Sequence, residues 1–155
     1  MLPTMRVPFD QALDLPPPFT PVGLRERSDA FTYALDIASQ RGAGTLVHVG
    51  RFDLAEFAVV LEPDEPLRTA RRAFYAGMIA LSDAIVTCAP PGKLVTVEWP
   101  DAIRIDGGLI GGGRLGWPGT AKEDEHPQWL VFGAMIRAVL MSGEEPAAHP
   151  LASSL

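Results

Sequence analysis

Between Ser28 and Gly42 the apolar residues Phe31, Ala34, Leu35 and Ala38 recur at intervals of three and four. That spacing predicts a helix with one buried face, capped by Ser28 or Asp29 and ended near Gly42. The rhythm then shortens. Thr45-Leu46-Val47-His48-Val49 reads as a short strand, and Glu56 to Leu61 as a second, apolar but for Glu56, so that both faces are expected to be covered. Leu67, Ala70, Phe74, Met78, Leu81 and Ile85 form one unbroken helical stripe, preceded by Asp64 and Glu65 and closed by Pro90-Pro91-Gly92. Strand alternation returns over Leu94 to Glu98 and again at Ile103 and Ile105, between Arg104 and Asp106. Gly107-Gly108 supplies the positive backbone angles of a tight turn, and the return strand is predicted over Leu109 to Leu115. Trp129 to Leu140 is apolar apart from Arg137, and its periodicity is ambiguous between helix and strand.

The two ends read differently. Six prolines fall in the first 24 residues, which excludes regular helix or central strand there. Residues 1–27 are read as an extended arm laid over the domain by Phe9, Leu13, Leu15 and Phe19, residues 28–142 as the folded domain, and residues 143–155 as a flexible polar tail. The abrupt end leaves room for a longer natural chain. The 155 residues are of single-domain size, and 47% hydrophobic with 21% charged residues is an ordinary globular balance.

A net charge of -6 argues against a nucleic-acid partner, which needs clustered cations to displace counterions. No apolar run is long enough for a membrane span and no signal-peptide layout opens the chain, so no membrane is expected and the cytoplasm is the default location. The single cysteine, Cys88, excludes an internal disulfide and reads as a small buried hydrophobe near a helix end. Arg68, Arg71 and Arg72 are read as a solvated or ion-paired helix face. Glu123-Asp124-Glu125-His126 is read as an acidic turn, since consecutive residues rarely converge on one ion, and no metal site is expected. His48 is read as a core or rim histidine. Gly111-Gly112-Gly113 costs entropy and side-chain packing, which a strand tolerates where a ligand or another backbone comes close.

The run Val97-Glu98-Trp99-Pro100-Asp101-Ala102-Ile103-Arg104-Ile105-Asp106-Gly107-Gly108-Leu109-Ile110-Gly111-Gly112-Gly113-Arg114 resembles the central signature of the biotin and lipoate protein ligase family. There a Lys-Trp-Pro-Asn-Asp strand leads through a hairpin into a glycine-bearing strand. The resemblance covers most of residues 28–140. It implies an α+β fold with a mixed, largely antiparallel sheet, helices on one face and a ligand pocket on the other, as in the class II aminoacyl-tRNA synthetase/biotin synthetase fold. It makes Trp129 to Gly133 a strand. It implies ATP and biotin or lipoate as ligands, a small carboxylic acid activated as an acyl-adenylate, and transfer to a lysine of an acceptor protein, and it leaves a homodimer open. Candidate ligand-binding residues are Arg51, Glu98, Trp99, Pro100, Asp101, Gly111, Gly112, Gly113 and Arg114.

The chemistry departs from that signature. The family's catalytic lysine falls on Glu98, its second lysine on Leu109, its Asn-Asp pair on Asp101-Ala102, and the acid after the glycine strand on Gly116. Of its arginine-rich loop only Gly50-Arg51 remains. The chain has two lysines, Lys93 and Lys122, and eleven arginines. Two unit charges about 4 Å apart interact by roughly 1 kcal/mol in water and several-fold more in a partly buried site, so a carboxylate at the lysine position repels ATP and an acid ligand. Arg51, Arg104 and Arg114 are the compensating candidates. Two readings stay open: a ligase with altered catalytic residues, and a binding or regulatory relative that kept the pocket and lost adenylation. A purely structural module fits less well, because glycine strands pack poorly.

Overall fold

The computed structural model describes residues 13–137. Residues 1–12, the expected end of the folded domain at 138–142 and the tail at 143–155 lie outside the described residues.

The elements run β1 (Thr20–Leu24), α1 (Ala30–Arg41), β2 (Thr45–Val49), β3 (Leu54–Leu61), α2 (Leu67–Ala70), α3 (Ala73–Cys88), β4 (Val95–Glu98), β5 (Ala102–Ile105), β6 (Gly108–Gly116) and β7 (Leu130–Arg137). Seven strands form one sheet in the order β1-β2-β3-β7-β6-β5-β4. Only β1 and β2 pair in parallel; every other neighbour is antiparallel. The expected α+β class, with a mixed and largely antiparallel sheet, is the one observed. Part of the proline-rich arm enters it: β1 is an edge strand, where Pro21 needs no second hydrogen-bonded neighbour.

The two long helices divide between the faces of the sheet instead of sharing one. Val131 packs with Ala30, Ala34 and Ala38 of α1, while Phe132, Ala134 and Ile136 pack with Met78, Leu81 and Ile85 of α3. Successive side chains of a strand point to opposite sides, so α1 and α3 lie on opposite faces. The reason lies in β7. From Leu130 to Ala134 it is buried on both faces, and a strand at mid-sheet with apolar residues in both registers needs cover on both sides.

Asp29 caps α1, accepting from the amides of Phe31 and Thr32, and Gly42 ends it. The predicted long helix is broken at Arg71-Arg72. The amides of Leu67 and Arg68 donate to the carbonyls of Glu125 and Glu123, which docks α2 on the β6–β7 connection before α3 begins. The apolar stripe survives the break, with Leu67 and Ala70 on Leu130 and the rest on the sheet. Cys88, expected to be buried, is exposed, because the last turn of α3 runs past the sheet core after Ile85. No helix among the described residues is long and apolar enough to cross a membrane.

Candidate functional site

The site grows from the β4–β5–β6 meander. Asp106, at φ 49°, and Gly107, at φ 82°, make the β5–β6 turn, one residue earlier than the expected Gly107-Gly108. Asp-Gly satisfies a turn that needs two positive angles, and Gly108 is then free to open β6. The Lys93 ammonium at 2.7 Å and the Leu94 amide at 3.0 Å both donate to the Asp106 carboxylate. Lys93 first, then that amide, hold its carboxyl below the usual carboxylate range. A bulge opposite Ile103 and Arg104 absorbs one extra residue of β6. Ile110 drops into the α3 core, while Leu109 turns to the other face.

The three glycines answer to protein neighbours. A Cβ on Gly111 would overlap the carbonyl oxygen of Met135, and one on Gly112 the carbonyl oxygen of Asp101. A Cβ on Gly113 would stand 2.7 Å from Met78 Sδ. The close approach at Gly112 also brings the Gly113 amide within 3.1 Å of the Asp101 carbonyl it donates to. Of the two causes that let a strand keep glycines, a neighbouring backbone is therefore present in the fold itself.

On the α1 face these glycines floor an open groove of about 510 Å³. Gly133 continues the floor, where a Cβ would collide with the Phe31 ring. Ala102, Leu109 and Met135 supply apolar walls, and Asp101 and Arg114 supply charge. The Arg114 guanidinium lies 4.6 Å from the centroid of the Phe31 ring and 3.5 Å from Asp29 Oδ1. Partial burial raises the Asp29 pKa, but the hydroxyl and amide of Thr32, the Arg114 charge and the Phe31 amide outweigh it, and the net shift is downward.

The other candidates separate from the groove. Trp99 is 78% exposed on the β4–β5 turn beside Pro100, and neither lines the groove. Glu98 is bonded to Arg104 Nε, whose Nη1 also donates to the Gly107 carbonyl at 3.1 Å. Thr96 pairs with Arg104 and Glu98 with Ala102, so the two charged side chains lie diagonally on the same face as the groove. The strand thus runs unbent up to Glu98. Arg51 is held by Asp53 at 3.3 Å on the β2–β3 turn and borders a different concavity, with Leu46 and Phe57. Asp53 raises its pKa. Lys93 and Lys122 are ion-paired to Asp106 and Glu125, away from the groove. The acidic turn binds Arg68 through Asp124 and Arg71 through Glu123. Among the described residues no group of three or more His, Cys, Asp or Glu is arranged to hold a metal ion.

Gly133 and Met135 were not legible as site residues. Strand spacing puts them on one face together, but only the β6–β7 register, Gly112 opposite Met135, brings that face to the glycine strand.

The family model for the biotin/lipoate A/B protein ligase family matches residues 15–155. Among solved structures, a biotin protein ligase-like protein of unknown function from Silicibacter sp. tm1040 is 30% identical, with a TM-score of 0.72, covering 84% of this chain and 58% of that one. The apo biotin protein ligase of Aquifex aeolicus is 16% identical, with a TM-score of 0.60 over 88% of this chain and 57% of the other. The biotin protein ligase of Leishmania major in complex with biotin is 15% identical, with a TM-score of 0.60 over 84% and 62%. The last two likenesses bear on the fold alone. The chain spans less than two thirds of each of these three proteins. No curated sequence matches it.

Proposed function

The chain belongs to the biotin/lipoate A/B protein ligase family, and from that premise we propose that it binds a small carboxylic acid or acyl group in the groove over Gly111–Gly113 without adenylating it. The observation that carries this is the Glu98–Arg104 pair. At the position where the family signature has a lysine, this chain has a carboxylate already joined to the nearest guanidinium, so neither charge is free to meet a ligand. Leu109 at the second lysine position adds an apolar wall instead of a cation. Arg114 is the one cation lining the groove among the described residues, and Asp101 opposes it. That balance suits a single carboxylate lying over an apolar floor. It does not fit a triphosphate, whose several charges require several fixed donors.

ATP-dependent transfer to an acceptor protein is the second reading, favoured by the place of Arg114 on the groove. Both are tested together by thermal shift with biotin, lipoate or octanoate, each with and without ATP, alongside a pyrophosphate assay. A ligand at 100 times its Kd stabilises the native state by about 2.7 kcal/mol. We expect a rise in Tm with one of the acids that ATP does not change, and no acid-dependent pyrophosphate. Robust acid-dependent pyrophosphate release establishes the ligase reading, and Arg114→Gln then abolishes it.

A further inference from the structure

The half of the sheet that α3 leaves uncovered carries a second concavity. β1 and β2 place Gly23 opposite His48. Val47 and Val49 take the α1 side, so His48 points to the other face, away from the groove. His48, Arg25, Arg27 and Gly50 border an open cavity of about 730 Å³, with Leu24 and Glu26 beside them. Among the described residues no hydrogen bond or ion pair is made by the side chains of Arg25 and Arg27 or by the His48 ring, while the Arg25 carbonyl accepts from the Ser28 amide. A Cβ at position 23 would lie 3.4 Å from His48 Nε2, so glycine leaves that edge of the ring open to the cavity. Glu26 sets one carboxylate beside the two guanidinium groups, so the lining keeps a net positive charge. Two guanidinium groups therefore dominate the cavity. His48 also borders a smaller concavity of about 320 Å³, with Leu13, Leu15, Leu46 and Phe57.

We propose that Arg25, Arg27 and His48 form a second ligand site, on the face opposite the groove, for an amphiphilic oxyanion. Its phosphate or carboxylate head meets the two guanidinium groups, and its aliphatic chain runs past His48 along Leu46 and Phe57. Guanidinium forks match both head groups in geometry, and charge-assisted bonds are the strongest available at a surface. The imidazole supplies one directed nitrogen at the junction of head and chain; burial holds its pKa below the ordinary histidine value, so near neutrality it is uncharged. The apolar side chains give the tail a surface that water loses little by leaving. This site is independent of the reading given for the groove.

Octyl phosphate, octanoate and octyl glucoside are titrated into the full chain, read by NMR of the His48 ring and of the Gly111–Gly113 amides, with affinity from calorimetry. Saturable shifts of the His48 ring are expected with one or both anions and not with the glucoside; the tighter anion names the head group. Arg25→Gln combined with Arg27→Gln is expected to weaken binding by about tenfold or more, since bonds to charged groups are being lost. Gly23→Ala, which keeps the fold and covers the ring edge, is expected to weaken it several-fold. Arg114→Gln is expected to leave the His48 titration unchanged. Absence of a saturable His48 shift with either anion, or unchanged affinity in the double variant, overturns the proposal. Shifts confined to the glycine amides place the ligand in the groove instead, so failure here is distinct from failure there.

Discussion

The two helical layers are built from different stock. α1 lies on the sheet through Ala30, Ala34 and Ala38, each at most 1% exposed, over Val47, Val49, Ala58 and Val60. α3 uses Met78, Leu81 and Ile85 over Ile103, Ile105, Ile110 and Phe132. Small residues let α1 approach closely, and its larger Phe31 and Leu35 then fit only because Gly133 and Gly116 lack side chains. α1 packs on β2, β3 and β7, its first amide, of Ala30, donating to the buried Glu56 carboxylate at 2.9 Å, and it reaches β6 only at Gly116, so the rest of β6 and β5 lie beyond it. α3 spans from β4 to β7 and leaves the β1–β2 end of its own face uncovered. Each face is thus part helix and part open, with the groove beside α1 and the cavity at His48 beyond α3. The groove floor is glycine because backbone and core neighbours forbid a Cβ, so selectivity for a ligand has to reside in the walls and in Asp101 and Arg114. The same packing lets the Trp-Pro and glycine-strand layout stand without the lysine that its resemblance implies.

The sharpest way to break that comparison is Gly112→Ala. The added methyl would overlap the Asp101 carbonyl, which is backbone and cannot rotate away. We expect a loss of more than about 4 kcal/mol, or no folded protein, in urea denaturation. Gly113→Ala meets Met78 Sδ and the Phe132 ring, which can shift, and is expected to cost about 1–3 kcal/mol. If the two variants cost the same, the glycines answer to something other than their immediate neighbours.

The chain shows unevenly which of these features are local. The cap at Asp29, the stop at Gly42, β2 and the β5–β6 hairpin depend on residues close in sequence, and the pattern gives them within a residue or two. The break at Arg71-Arg72 was hidden because the apolar stripe runs straight through it; its cause is the docking of α2 on residues 123–125, far along the chain. The division of helices between faces follows from the double-sided burial of β7, whose segment reads as helix or strand by period alone. For the groove, Asp101, the glycines and Arg114 are adjacent in sequence and were legible. Met135 and Gly133 join them only through the register of β6 on β7. The Gly-Arg context of Arg51 points to it in the sequence, but its turn is short and closed on Asp53.

A medium effect is expected at Glu98. Glu98→Lys breaks the pair with Arg104 and leaves two cations at the groove edge in place of a neutral pair. The Glu98 side chain is 56% exposed, so the stability cost should be about 0–1 kcal/mol. Affinity for a small carboxylic acid should rise, as calorimetric titration of wild type and variant will measure. Unchanged binding in a folded variant would place the ligand beyond the reach of β4 and leave Arg114 as its only cation.

The smallest effect concerns the uncovered half of the α3 face. Burial lowers the His48 pKa in the folded chain, against about 6.5 when unfolded. Well above pH 6.5 the ring is neutral in both states and contributes nothing to pH dependence. As pH falls below that value the unfolded chain takes up the proton first, so stability declines, and the decline levels off once pH passes the folded pKa. The carboxylates with lowered pKa, Asp29, Asp53 and Asp106, act in a separate window. Their stabilisation is full above about pH 4 and is lost as pH falls through their folded values. Urea denaturation at pH 7, 6 and 5 should therefore show a small loss in wild type that His48→Gln lacks. Parallel curves for the two proteins would mean that the ring is as well hydrated in the fold as in the unfolded chain, and that this face is open to water at His48.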